Sequence, residues 1–328
     1  MKFRYLLVAL LAFGFILFAA LSLVLEVSDI IERHAPASTA GTVSENQPVA
    51  EPENEAAPPA AQTVPAAQTH ATPAVPEAKP SADNLYDTQN LQEILREYAA
   101  EKPKEWSEQV NGMVQKVNVP HANERILFLT FNVYTKNHPE LFNFLRQHAV
   151  KATFFLSGMW VRRHAGQAKE IGALPALFEI ENHGNRNIPL SASGADAYGR
   201  KGTGNLAAAL DEITAGAEAI KNATGQTPRY IRSFLNYTDN VVVDALSEAG
   251  IKTIGISVFA DGGGLFGTEK IKNQILNAPN GSIILLSINP DYPTIFNGLK
   301  AAIEEIELLK SPVRFEKLAD YEQYFIYI

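Results

Sequence analysis

The sequence predicts an α/β fold with parallel strands, preceded by a transmembrane helix and a disordered Ala/Pro-rich linker. Three observations predict it. From Arg125 onward, short apolar runs alternate with stretches of helical periodicity, the order expected when each strand is followed by a helix that returns the chain to the same sheet. An almost unbroken apolar run spans residues 5–25. Between these two regions the chain turns to Ala, Pro, Glu, Thr and Ser with few aromatic or β-branched residues.

The length of 328 residues is enough for two domains, but the composition is so uneven that one large folded unit is expected. A formal charge of −8 and the scarcity of Lys/Arg clusters argue against nucleic acid as a partner. Cysteine is absent, which excludes a disulfide framework and thiolate metal sites, and suits a protein exposed to the cell envelope.

The apolar run after Met-Lys-Phe-Arg has roughly the 20 residues that cross a bilayer core as a helix. Lys2 and Arg4 place the short N-terminus in the cytoplasm and the rest of the chain outside it. A cleaved signal peptide is the competing reading, but its apolar region is normally shorter, and the first plausible cleavage site, Ala35-Pro36-Ala37, lies well past the run. Residues 1–27 are therefore read as a membrane anchor and 28–84 as a linker that cannot bury enough apolar surface to fold. A flexible coil of that size has an end-to-end distance of about 40 Å, a reach suited to holding a domain away from a membrane.

Residues 85–120 are expected to be a helical extension. Leu91, Ile94, Leu95 and Tyr98, then Val110, Met113, Val114 and Val117, have helical spacing, and Pro103 divides them into two short helices. In the main domain, 121–328, strands are expected at 126–131, 152–156, 177–180, 230–233, 252–257, 282–286 and 314–318. Helices are expected at 139–148, 204–224, 238–249, 269–278 and 297–310.

The motifs sit at strand ends. The first strand closes on Thr130-Phe131-Asn132-Val133; Lys151-Ala152-Thr153-Phe154-Phe155-Leu156 forms the next. Then come Glu179-Ile180-Glu181-Asn182-His183 with Gly184-Asn185-Arg186-Asn187, the line from Thr224 through Pro228 to Arg232, Asp261 followed by Gly262, and an apolar strand ending in Ser287-Ile288. In order and spacing this series resembles the polysaccharide deacetylase (NodB-homology) family over almost all of 125–328, as a divergent member with degenerate catalytic motifs. The resemblance implies an irregular (β/α)7 barrel, with its chemistry where strands end and loops begin.

It also implies metal-assisted amide hydrolysis, with a divalent ion such as zinc held by one aspartate and two histidines, an aspartate as base and a histidine as acid. Carried over by position, the base falls on Asn132, the acid on Ser287, and the metal ligands on Val133, His183 and Asn187. Only His183 keeps the family residue. An amide does not take up a proton at neutral pH, and valine has no lone pair to give a metal. No metal and no cofactor are therefore expected. Arg232 and Asp261 stand where the relatives keep an arginine paired with the base and an aspartate that tunes a histidine. For both, the plain alternative is a mutual or local salt bridge.

The leading expectation is a membrane-anchored, extracytoplasmic pseudoenzyme whose former active-site groove binds a cell-envelope glycan or an envelope protein. Candidate ligand contacts are Asn132, His183, Asn187, Arg232, Asn236 and Asp261, with Asn182, Asn185 and Asn289 beside them and Trp160 and Tyr237 as flat faces for sugar rings. An active carbohydrate N-deacetylase with an altered site and an envelope scaffold are the alternatives. His138, His148 and His164 lack metal-ligand spacing to one another.

Overall fold

The computed structural model describes residues 85–120 and 123–328. The expected anchor (1–27) and linker (28–84) lie outside the described residues. The extension begins with α1 (Thr88–Tyr98), whose N-cap Asp87 accepts a hydrogen bond from the Asn90 amide and whose Leu91 and Ile94 are buried. The second expected helix is not formed. Instead the chain makes β1 (Trp106–Ser107) and β2 (Val114–Val117). The apolar spacing there fits a strand as well as a helix. Gly112, at φ 88°, sits in the turn between the two strands, in a conformation that a helix interior does not accept.

The main domain then runs β3 (Arg125–Val133), α2 (Pro139–Gln147), β4 (Ala152–Leu156), α3 (Gly158–Arg163), α4 (Ala165–Gly172) and β5 (Phe178–Asn182). A small hairpin, β6 (Asp196–Ala197) and β7 (Arg200–Lys201), precedes the long α5 (Leu206–Thr224). Next are β8 (Tyr230–Ile231), β9 (Thr238–Asp239), α6 (Asn240–Glu248), β10 (Lys252–Thr253) and β11 (Val258–Phe259). The chain ends with α7 (Thr268–Leu276), β12 (Ile283–Ser287), α8 (Pro293–Leu308), β13 (Val313–Phe315) and β14 (Phe325–Tyr327).

One parallel sheet of eight strands carries the order β10-β8-β5-β4-β3-β12-β11, with β13 paired to the start of β3. It is a half-barrel, open between β10 and β11, where an irregular (β/α)7 barrel was expected. The expected strand 252–257 is split, and its middle is claimed by the extension: the Gly255 amide donates to the Val114 carbonyl, and Val114 bridges Ile254. The extension is tied in twice more, β1 pairing with β9 and β2 with the C-terminal β14, both antiparallel. Gly281 allows β2 to lie this close, since a side chain there would run into the Val117 carbonyl.

Period-two alternation along β3 decides which side chains face where. Leu127, Leu129, Phe131 and Val133 join Phe154, Leu156, Phe178 and Ile180 in a cluster under α2, α3, α4, α7 and α8. Ile126 and Phe128 point the other way, into a smaller cluster with Val114, Tyr230 and Ile254, and Thr130 and Asn132 continue that inner face toward the strand's end. The inner face of β5 carries two carboxylates, Glu179 and Glu181, both buried. Glu179 accepts from the Thr153 hydroxyl at 2.6 Å and the Ala319 amide at 3.1 Å; Glu181 accepts from the Arg229 and Tyr230 amides at 2.7 Å. Burial raises both, Glu179 to about 7, and Glu181 is raised further by the neighbouring Glu179.

Candidate functional site

The C-terminal ends of β3, β5, β8 and β12 converge on one polar trough. Asn132 and Ser287 are register partners on adjacent strands, and the Ile288 amide donates to the Asn132 carbonyl at 3.0 Å. Arg232, just past β8, lies wholly buried beneath them. Its Nη1 donates to Thr130 Oγ1 at 2.7 Å and Asn132 Oδ1 at 3.4 Å, its Nη2 to the Gly255 carbonyl at 2.9 Å and its Nε to the Ile254 carbonyl at 3.2 Å. The guanidinium also covers the Phe155 ring at 4.2 Å. Burial pushes its pKa down to about 9, which leaves it a cation at neutral pH.

Arg232 and Asp261 do not pair. Asp261 instead accepts from the Ser287 amide at 2.5 Å and the Gly263 amide at 2.9 Å, which fixes the end of β12 against the loop that follows β11. Its carboxyl is raised by burial, an effect these amides oppose. Among the described residues Arg232 has no carboxylate partner at all.

His183 is buried, and its Nδ1 lies 2.6 Å from the Arg232 carbonyl. A carbonyl only accepts, so Nδ1 carries the proton and Nε2 keeps its lone pair. Burial lowers the imidazole to about 3, with the Arg232 and Arg200 charges adding to the effect; it is neutral at physiological pH. Close packing from below positions it. Gly216 on α5 lies under the loop, where a side-chain Cβ would come within 2.7 Å of the Gly184 carbonyl and also strike Asn182. The same loop is pinned at Arg186, whose Nε and backbone amide both donate to buried Glu212.

Asn187 ends this loop at φ 55°, only 3 % exposed, and neither polar atom of its amide has a partner in the protein. Asn236 is also buried and left-handed. Its Nδ2 donates to the Glu108 carbonyl at 2.7 Å, so it fastens the extension to the main domain, while its Oδ1 is unpartnered.

Several positions singled out in the sequence are engaged otherwise. Val133 packs into the helix-side core because it falls on the odd, outward phase of β3. Asn182 also faces the helices, its Nδ2 donating to the Ile213 carbonyl at 2.8 Å. Trp160 is no sugar platform: it is fully buried in the core, its indole N–H donating to the Lys136 carbonyl. Asn185 accepts from Arg162, and Asn289 turns back on the Asp291 amide. His138, His148 and His164 belong to the helical layer, against Phe296, Phe144 and Trp160 respectively.

Other residues take their places. Tyr134, one step past β3, lies 5.7 Å from the His183 ring and beside the Ser287 hydroxyl. Tyr237 is flanked by Trp106 of the extension at 5.7 Å and by Tyr198 of the β6–β7 hairpin at 5.8 Å, an aromatic wall with Tyr198 75 % exposed. Arg200 of the same hairpin covers Phe234 at 5.0 Å. On the opposite side Tyr292 lies on Gly264, and Phe259 and Leu265 are exposed beside it. Cavities of about 240 Å³ lie away from the trough, one between α2 and α4 and one between α1 and α6.

The donor set does not fit a first-row divalent ion. The trough offers one imidazole nitrogen and neutral amides, Val133 is turned away, and no group of three or more His, Asp or Glu residues gathers to hold a metal among the described residues. The nearby carboxylate, Asp261, is held by two amides.

A model of the polysaccharide deacetylase family matches residues 120–254, the span that carries β3, β4, His183, Asn187 and Arg232. Over that span the chain is similar to the polysaccharide deacetylase family. The chain is 28% identical over 164 residues to the uncharacterized protein YlxY of Bacillus subtilis, a match covering 50% of this chain and 46% of that relative's length. It is 27% identical over 212 residues to a peptidoglycan-N-acetylglucosamine deacetylase of Bacillus cereus, covering 62% of this chain and 90% of the relative. The crystal structure of the Bc1960 peptidoglycan N-acetylglucosamine deacetylase shares the fold, at TM-score 0.53 and 21% identity over 64% of this chain and 92% of that one. BA3943 of Bacillus anthracis, a CE4 family pseudoenzyme, aligns at TM-score 0.49 and 23% identity, covering 61% of this chain and 66% of that one. The likeness thus rests on strands and motif spacing, while the residues at the strand ends differ.

Proposed function

We propose that this deacetylase-fold protein binds a cell-envelope glycan in its trough without hydrolysing it. The observation that carries the reading is the end of β3, where Asn132 offers an amide in place of a base and Val133 is part of the core. Neutral hydrogen-bonding groups at Asn132, His183, Asn187 and Ser287 suit hydroxyls and acetamides, and the wall of Tyr237, Trp106 and Tyr198 suits the flat faces of sugar rings. The similarity to a protein named peptidoglycan-N-acetylglucosamine deacetylase favours peptidoglycan-type sugars. In this reading no metal is used, and the N-terminal segment anchors the protein so that the domain lies outside the cytoplasm, reached through the linker.

Titration calorimetry with N-acetylglucosamine tetramers and peptidoglycan fragments, run beside an acetate-release assay on the same samples, tests the reading. Binding without acetate release, unchanged by added zinc, cobalt or nickel, is the expected result. Acetate release at a rate proportional to bound metal would replace this reading with an active deacetylase, and absence of any glycan binding would leave a protein-binding scaffold.

A further inference from the structure

The charge balance of the trough narrows the ligand. Arg232 is a fully buried cation whose four hydrogen bonds all go to neutral oxygens, and no carboxylate lies within ion-pair distance of it among the described residues. An uncompensated buried charge is costly, and its field reaches far through a low-dielectric interior. Asp261 makes no ion pair with it, its oxygens accepting instead from the Ser287 and Gly263 amides. A second cation, Arg200, is exposed on the hairpin whose Tyr198 packs on Tyr237; it covers Phe234 at 5.0 Å and has no carboxylate partner among the described residues. A third observation is independent of charge: the Asn187 amide is buried with neither polar atom bonded. Buried amides are satisfied in nearly all folded proteins, so an orphan at the end of the His183 loop marks a place where a polar group from outside the chain belongs.

We propose that the trough selects glycans whose sugars carry a carboxylate, with Arg200 gripping the acid group and the Tyr198, Tyr237 and Trp106 wall holding the adjoining ring. This rests on the glycan-binding reading above and adds the charge of the ligand to it. A guanidinium fork matches a planar carboxylate in a bidentate manner. One accessible guanidinium among neutral amides suits a monoanion better than a phosphate dianion, which calls for more than one cation. The field of Arg232, transmitted past Asn132, favours the same sign of ligand without contact.

The test compares three probes on the purified domain with its extension: a peptide-free peptidoglycan tetrasaccharide with its muramic acid carboxylates, the same tetrasaccharide with those carboxylates reduced to alcohols, and the N-acetylglucosamine tetramer. The expected result is a preference of about tenfold or more for the carboxylate form at low ionic strength, shrinking as salt is added. Arg200→Gln should bring the carboxylate and reduced forms to parity. Asn132→Asp, which supplies an internal anion to Arg232, should weaken the preference as well. Equal binding of both forms by the wild-type protein, or an undiminished preference in Arg200→Gln, would overturn the proposal while leaving glycan binding intact. Failure of all three probes to bind would remove the glycan reading itself. Displacement of the tetrasaccharide by equimolar acetate would show a bare anion site and overturn the assignment to a sugar acid.

Discussion

Replacing Asn132 by aspartate should stabilise this protein. The substitution is isosteric, and it sets a carboxylate where Asn132 Oδ1 now lies, 3.4 Å from Nη1 of Arg232. At an effective dielectric constant of about 20 two unit charges at that separation attract by roughly 5 kcal/mol. Burying a carboxylate at a position only 4 % exposed costs several kcal/mol in return, though here the partner cation is already desolvated and held by three neutral acceptors. The balance is a gain of about 1–3 kcal/mol at pH 7, or about 2–4 °C in Tm for each kcal/mol in a domain of this size. The new carboxyl should titrate below its unfolded value of about 3.9, because Arg232 favours the charged form. Its contribution is therefore fully present above that unfolded value and is lost as pH falls through the lowered folded one. Differential scanning calorimetry of both proteins at pH 7, 5 and 3 measures the effect. A Tm for Asn132→Asp equal to or below wild type at pH 7, with the gain appearing only in acid, would mean that the introduced carboxyl is buried protonated and that Arg232 is already compensated.

Two further outcomes follow from neighbouring packing. Glu179 holds its proton to about pH 7 when folded but loses it near 4.5 when unfolded, so the folded state binds more protons in that window and stability falls as pH rises through it, by at most about 1.4 kcal/mol per pH unit. Glu179→Gln keeps an acceptor for Thr153 and should flatten that part of the profile in urea unfolding measured from pH 4 to 8; an unchanged slope would place the titration elsewhere. Gly216→Ala forces a methyl against the Gly184 backbone and should destabilise by about 1–3 kcal/mol, with the His183 ring resonances shifting in NMR spectra; a neutral effect would mean that the loop yields freely.

How far the sequence could be read depended on whether a residue's environment is local. The strands β3, β4 and β12 were legible because each is a long apolar run followed by a turn. Helices α2, α5, α6, α7 and α8 were legible because their periodicity is carried by a single segment. Strand β2 was not legible, since Val114 and Val117 take strand geometry only by pairing with β14, at the far end of the chain. The hairpin carrying Arg200 has two-residue strands and no apolar pattern, so nothing local announces that its Tyr198 packs on Tyr237. Trp160 misled for the opposite reason: an indole suits a sugar face and a core equally, and only the packing of α3 against the sheet decides. Val133 was a readable case left unread. Thr130 and Asn132 alternate with Leu129, Phe131 and Val133, and that period of two already turns the valine away from the polar face.

The two altered positions at the end of β3 pull stability in opposite directions. Val133, fully buried among Leu156, Trp160 and their neighbours, adds apolar surface to the core, worth about 1.5–3 kcal/mol when such a side chain is wholly buried. Asn132 does the reverse, leaving Arg232 a buried cation with only neutral acceptors. If relaxation toward a stable shell were the whole account of this trough, the arginine would be the first residue expected to go, because replacing buried charge by well-packed apolar side chains is often neutral or stabilising. Instead the chain keeps the guanidinium, gives it four oxygens and an aromatic face, and leaves the Asn187 amide unsatisfied close by in sequence to the histidine that Arg232 orients. Departures from local stability concentrate at sites that act on something outside the fold. In the glycan-binding reading proposed above, that departure is what the ligand would offset.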